Sequence, residues 1–343
     1  MNEEPIHYGI VGLGRSGWSI HVEALRCRAD AKIVAVVDPL AERRAEAERE
    51  LGCSSYASLG RMLKRQDDLE VVVVATPSAR HAPDSKAALR VGRHVVVEKP
   101  LALSVAQADG VIRTAEQAGR LLCVHQNYRF TPIFAHLREV ADSGIIGRVF
   151  HIRNTIAAFA RRNDWQTLSQ HGGGVLNNTC SHYLDIILQL IGGPIVRVLG
   201  DLQQVASAGD VEDHVKAFLV AANGCTADIE VSNAQNIDAA IPRWILCGTC
   251  GTLTSNGTAS TIRFFDPALA PPLNVINGAV EGRTYGNDDV LPWQEKKVDA
   301  VGPVPETFYD NVTAAVRRGE PLVVTPGSVR EVLRVMALIR KGK

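Results

Sequence analysis

Tyr8-Gly9-Ile10-Val11-Gly12-Leu13-Gly14-Arg15-Ser16-Gly17 decides the fold: an apolar run enters a G-x-G-x-x-G pattern and a helical stretch follows. Gly12 allows a sharp turn, Gly14 lets main chain approach a pyrophosphate with no Cβ in the way, and Gly17 permits close contact of helix and sheet. A helix start aims unpaired N–H groups and a positive dipole end at phosphate, so the amides near Arg15 and Ser16 are the expected grip. The next apolar run closes on Val36-Val37-Asp38, with Asp38 lying 21 residues past Gly17. A carboxylate there accepts hydrogen bonds from adenosine ribose hydroxyls and repels a 2′-phosphate. The cofactor expected is therefore NAD rather than NADP, although Arg43 and Arg44 nearby leave room for the phosphorylated form.

Outward from this loop, apolar runs recur at Ile6 to Val11, Ile33 to Val37, Val71 to Ala75, His94 to Val97 and Leu121 to His125. They are continuous rather than alternating, as strands buried on both faces require. Amphipathic segments such as Ala41 to Leu51 and Ser104 to Ala118 separate them, and Ser104 and Gln107 have the spacing of a capping box. This rhythm predicts an α/β, doubly wound parallel sheet. From about residue 148 the texture changes: Val149 to Ile156, Val215 to Ala221, Thr226 to Ser232 and Thr261 to Phe265 alternate, predicting a half-buried antiparallel sheet. The division expected is residues 1–125 for the dinucleotide and 126–343 for substrate and oligomer contacts. The stretch from Pro267 to Gly286 reads as a long irregular loop or an arm across a partner subunit. Glu306 to Arg318 and Ser328 to Lys341 read as closing helices, the last in a position to pack back on the first domain.

At 343 residues the chain exceeds what one core usually organises, and 46% hydrophobic residues suffice for two. Lys plus Arg and Asp plus Glu both total 37, so no net field draws nucleic acid or an anionic membrane. A small-molecule partner is expected instead. No apolar span of membrane length and no basic, apolar leader is apparent, which predicts a cytoplasmic protein. Seven scattered cysteines, an odd count, fit reduced thiols. Cys247 and Cys250 lie in a strand-turn-strand pattern with no second pair, and no metal site is expected.

Two further segments carry chemistry. His94-Val95-Val96-Val97-Glu98-Lys99-Pro100 ends an apolar strand at the sheet edge where ligands sit. Pro100, in a cis or trans bond, would pin the turn that presents Lys99, whose ammonium could stabilise an alkoxide. Gly172-Gly173-Gly174 leads into a helix over Leu176 to Ile191, and the triplet implies close approach of a ligand to main chain. Asn178 and His182 stand four apart there, on one helix face, where they could grip a secondary alcohol. Histidine titrates near neutrality and suits the base; Asn178 can donate and accept hydrogen bonds and so position substrate. Asp185 either orients the imidazole or is an ordinary helix residue. Trp165 is a sugar-stacking wall or a loop anchor, and Tyr309 is a weaker candidate that fits helix packing equally well.

These landmarks resemble the glucose-fructose oxidoreductase, inositol dehydrogenase and MocA family. The residues that carry the resemblance are Gly12, Gly14 and Gly17 with His21 just after, Thr76-Pro77 with His81, Glu98-Lys99-Pro100, Asn127-Tyr128-Arg129-Phe130, and Gly172 to Asp185. It spans nearly the whole chain. It implies a Rossmann domain joined to an α/β domain with a large, mostly antiparallel sheet, whose open face mediates homodimers or homotetramers. It also implies an NAD(P)-dependent oxidoreductase passing hydride between nicotinamide and a secondary hydroxyl or ketone of a sugar, sugar derivative or cyclitol. Residue by residue, Lys99 matches the catalytic lysine and His182 the catalytic histidine, while Asn178 stands where the family places aspartate. Thr76, Pro77 and His81 match the segment near nicotinamide and its ribose, and Glu98 and Asn127 line the cofactor's nicotinamide end. Arg129 matches the same pattern, as a site residue or as a tie in the interdomain linker. The competing expectations are a catalytically decayed NAD-binding sensor and a same-fold reductase of a non-carbohydrate.

Overall fold

The computed structural model describes residues 4–342 except 276, 280, 284–289, 300, 303 and 305. β1 (Ile6–Val11), β2 (Ala31–Val37), β3 (Ser54–Tyr56), β4 (Val71–Val74), β5 (His94–Val97) and β6 (Leu122–Val124) form a parallel sheet in the order β3-β2-β1-β4-β5-β6. Helices cover both faces, so the valines of β4 and β5 are buried on each side. The order reverses between β1 and β4, and the crevice at that reversal lies at the strands' carboxyl ends. Both the glycine loop after β1 and Lys99 after β5 leave the sheet there. Gly17–Val22 winds more widely than an α-helix before Glu23–Arg26 tightens. The hydroxyl of Ser104 caps the helix Val105–Ala118 by accepting from the Gln107 N–H. Gln107 returns its side-chain oxygen to the Leu103 N–H, one residue earlier than a capping box would.

The second sheet comprises β7 (Val149–Ala157), β8 (Ile195–Gln203), β9 (His214–Ala221), β10 (Thr226–Ser232), β11 (Trp244–Gly248), β12 (Gly251–Ser255), β13 (Ser260–Phe264) and β14 (Gln294–Val298). Its order is β14-β13-β12-β11-β7-β10-β9-β8, antiparallel everywhere except between β7 and β10. Cys247 and Cys250 fall at the β11–β12 hairpin, and all seven cysteines are free thiols. Alternation along β9 turns Val215, Ala217 and Leu219 into the core and Phe218 outward. Phe218 pairs with Leu199 on β8, itself 62% exposed, so the outer face carries apolar side chains at this edge. The stretch from Pro267 to Gly286 lies partly outside the described residues; its described part holds short turns at Pro267–Leu269 and Glu281–Arg283.

The helix Phe308–Arg318 returns to the parallel sheet, where Phe308, Tyr309 and Val312 share a core with Tyr8, Ile10, Val36 and Val96. The last helix, Pro326–Lys341, packs back on the first domain against Val105–Ala118 and β6, as expected, and also against β8 and Ser181–Leu190, bridging the two sheets. The penultimate helix thus closes one face of the parallel sheet and the last helix packs on the other. No described helix is long and apolar enough to cross a membrane.

Candidate active site

The three glycines of the first loop do different work. Gly12 adopts φ +92°, and a Cβ on Gly17 would stand 1.8 Å from the Gly12 carbonyl oxygen, so the helix start must lie flush against the turn. A Cβ on Gly14 would meet nothing within 4 Å. That open side is where a pyrophosphate would approach, and the loop therefore fits NAD. Asp38, only 2% exposed, accepts from the N–H groups of Leu13 at 2.8 Å and Leu40 at 2.9 Å, with Arg43 3.5 Å away. It braces the glycine loop, and a carboxylate has acceptor sites beyond these two for a ribose. Arg44 is turned toward the main-chain oxygens of Asp38 and Pro39.

The Lys99–Pro100 peptide bond is cis. Lys99 reaches across the crevice, its Nζ donating to the main-chain oxygen of Asn178 at 2.7 Å and to Asn178 Oδ1 at 3.3 Å. Asn178 Nδ2 donates in turn to Gln166 Oε1. The segment Leu176–Cys180 is another wide turn, followed by the α-helix Ser181–Leu190. His182 lies one turn beyond Asn178, stacked on the Tyr128 ring at 4.2 Å, and its Nδ1 is buried with no hydrogen-bond partner among the described residues. Burial and the neighbouring Lys99 charge hold the imidazole well below its ordinary pKa. Lys99 is likewise lowered by burial, opposed by Glu98 and reinforced by Arg15 and Arg162. The amine and the imidazole therefore share one electrostatic environment, beside the glycine loop that carries Arg15.

Several expected roles are corrected by the contacts. Asp185 does not orient His182: it is buried in a two-nitrogen ion pair with Arg129, which also donates to Val323 O and Ser328 Oγ and so ties the linker to the closing segment. The glycine triplet makes room for protein rather than ligand. A Cβ on Gly173 would lie 2.3 Å from the Gln166 carbonyl oxygen, and one on Gly174 would lie 2.3 Å from Glu212 Oε1. His81 is buried between the Thr76-Pro77 turn and the lysine turn, its Nδ1 2.7 Å from Pro100 O and its Nε2 2.8 Å from Thr76 O. Thr76 Oγ1 donates to Asp84. Trp165, 42% exposed, sits edge-on to His171. Asn127 opens the short turn Asn127–Phe130 just after β6.

The Glu98 side chain is buried. Its Oε1 lies 3.1 Å from both His21 Nε2 and His125 Nδ1, and His21 Nδ1 lies 2.7 Å from the Tyr309 hydroxyl. His21 stands one helical turn past Gly17, and His125 follows β6, the strand beside β5. Arg162, Gln166, Glu212 and Asn233 join Asn178 around a narrow pocket and were not singled out from sequence. A wider cavity of about 530 Å³, lined by Gly172, Gly173, Asn177 and Arg340 among others, includes neither Lys99 nor His182, so volume does not mark the chemistry.

Comparison with known proteins agrees with this geometry. Residues 6–126 match the family described as an oxidoreductase family with an NAD-binding Rossmann fold, and residues 134–254 match the GFO/IDH/MocA C-terminal domain. A 1-carboxy-3-chloro-3,4-dihydroxycyclohexa-1,5-diene dehydrogenase from Comamonas testosteroni is 31% identical over 65% of this chain and 57% of its own length. The scyllo-inositol 2-dehydrogenase (NAD(+)) of Bacillus subtilis (strain 168) is 26% identical over 68% of this chain and 69% of its own. The chain thus spans a little more than half of the first of these relatives and about two thirds of the second. An NAD-binding protein from Listeria innocua superposes with a TM-score of 0.84 at 26% identity, covering 99% of this chain and 95% of that one. Matched in both halves, and carrying the glycine loop and the Glu-Lys-Pro turn at one crevice, the chain belongs to the GFO/IDH/MocA family of NAD-binding oxidoreductases.

Proposed function

We propose that the protein is an NAD-dependent dehydrogenase acting on a secondary hydroxyl of a sugar, sugar derivative or cyclitol. The observation that carries this reading is the Lys99 ammonium bonded to Asn178, one helical turn from His182. Bound NAD supplies the hydride acceptor. Lys99 donates a hydrogen bond to the reacting oxygen and stabilises the charge that develops there. His182, neutral at pH 7 because of its lowered pKa, accepts the hydroxyl proton. Asn178 spans Lys99 and Gln166 and fixes the amine, taking the positioning role of the family's aspartate without its charge. Arg162, Gln166 and Asn233 contact the rest of the substrate. The named relatives act on ring compounds bearing hydroxyl groups, an inositol and a dihydroxycyclohexadiene, which supports the same substrate class here.

Oxidation needs a neutral His182 and a charged Lys99. The rate therefore rises as pH climbs through the His182 pKa, below 6.5, and falls as pH passes the Lys99 pKa, below 10.5. We place the protein in the cytoplasm as a homo-oligomer joined through the outer face of the second sheet, around Leu199 and Phe218. A panel of polyols and sugars followed at the NADH absorbance tests the reading. Turnover of a cyclic polyol supports it. NAD binding with no turnover on any member would favour instead the decayed sensor, which the asparagine at 178 makes the natural rival.

A further inference from the structure

Around Glu98 lies a set of buried polar groups to which the proposed chemistry assigns nothing. Glu98, His21, His125 and Tyr309 are all buried, and they come from the strand end after β5, the turn after the glycine loop, the end of β6 and the penultimate helix. Their hydrogen bonds fix a direction. If Tyr309 O–H donates to His21 Nδ1, the ring proton must sit on Nε2, where it donates to Glu98 Oε1. His125 Nδ1–H donates to the same oxygen, and the Lys99 main-chain N–H donates to Glu98 Oε2 at 3.1 Å. Three donors thus converge on one carboxylate, which favours its charged form.

We propose that Tyr309 and His21 are positioning residues that, through Glu98, keep the buried Lys99 amine charged at the reacting hydroxyl; this rests on the dehydrogenase reading above. The charged and titratable groups around Lys99 are Glu98, Arg15, Arg162 and His182, and of these only Glu98 favours the ammonium. Those around Glu98 are His21, His125, His81, His182, Tyr309 and Lys99. Burial by itself would protonate Glu98, and the two imidazoles reverse this and hold it well below the ordinary carboxylate range. Losing the Tyr309 hydroxyl frees His21 to change tautomer and turn a bare nitrogen on Glu98. The carboxylate then holds its charge less firmly, and Lys99 loses its proton at lower pH. The same His21, Glu98 and His125 atoms lie within 4.8 Å of one another, close enough for a metal ion, but an ion there would replace the protons this arrangement uses.

Two measurements decide the matter. In the NAD-bound enzyme labelled with ¹⁵N-histidine, His21 should carry its proton on Nε2 alone across the working pH range; a proton on Nδ1, or stoichiometric metal in the purified protein, overturns the proposal. In Tyr309→Phe the alkaline limb of the kcat profile should move down by about 0.5–1 pH unit, with KM for NAD little changed. A folded Tyr309→Phe enzyme with an unmoved limb also overturns it, since that outcome leaves Tyr309 only a packing role. Should the variant fail to fold, the tautomer in the unmodified enzyme still decides. If no polyol turns over at all, it is the dehydrogenase reading that falls, and the tautomer can be read regardless.

Discussion

Two glycine-rich turns face the same crevice, and both lead into a wide helical turn, Gly17–Val22 in one case and Leu176–Cys180 in the other. In sequence they look alike. In the first, Gly14 opens onto empty space; in the second, Gly173 and Gly174 are pressed against the Gln166 carbonyl and the Glu212 carboxylate. A run of glycines therefore reports that something passes close to main chain, without reporting whether it is ligand or protein. In the proposed function the first turn serves the cofactor. The second would serve the proton chemistry there, with Asn178 accepting from Lys99 and His182 one turn on.

This contrast can be broken or sharpened by substitution. The largest effect should come from Lys99→Ala, which removes the ammonium held by the second turn: kcat should fall about 10²–10³-fold while NAD affinity stays near its original value. A parallel loss of NAD binding in a fluorescence titration would show that the two turns do not divide the work. Next, Gly173→Ala should cost about 1–3 kcal/mol of stability by overpacking, seen as a lower Tm, with NAD still raising the Tm of what remains folded. Gly14→Ala should do the reverse, leaving Tm of the cofactor-free protein unchanged and weakening NAD about tenfold, or ~1.4 kcal/mol. Equal thermal shifts in the two glycine variants would erase the distinction. The smallest effect is expected from Asn178→Asp. A carboxylate 3.3 Å from Lys99 Nζ favours the ammonium, so the alkaline limb of the rate profile should move to higher pH with kcat retained or raised.

Legibility from sequence followed local physics. β1 and β5 begin and end as read from their sequence, because strands buried on both faces are predominantly apolar, with His7 and His94 at half-buried positions near their starts. Helix Ala41–Leu51 is bounded as expected, with Gly52 in the left-handed conformation at its end. The second sheet was harder. β8 carries Val196, Leu199 and Gly200 against the simple alternation, and β14 reads Gln-Glu-Lys-Lys-Val with almost no buried side chain, so neither announces itself as a strand. In the candidate site, Lys99 and His182 could be singled out because each sits beside a turn motif. The partnership of Asp185 with Arg129 and that of Glu98 with His21, His125 and Tyr309 were not. These contacts join residues far apart in sequence, and a single chain's local pattern carries no trace of which distant group will fill a buried acceptor.

The return of Phe308, Tyr309 and Val312 to the parallel sheet has a bearing on how the molecule comes into being. A nascent chain emerging amino terminus first exposes all six Rossmann strands long before the helix that seals Tyr8, Ile10 and Val96 has been synthesised. Until then one face of the nucleotide half stays wet and apolar. Lopping off everything after residue 125 would make that transient condition permanent, yielding a sticky fragment in place of an autonomous cofactor module.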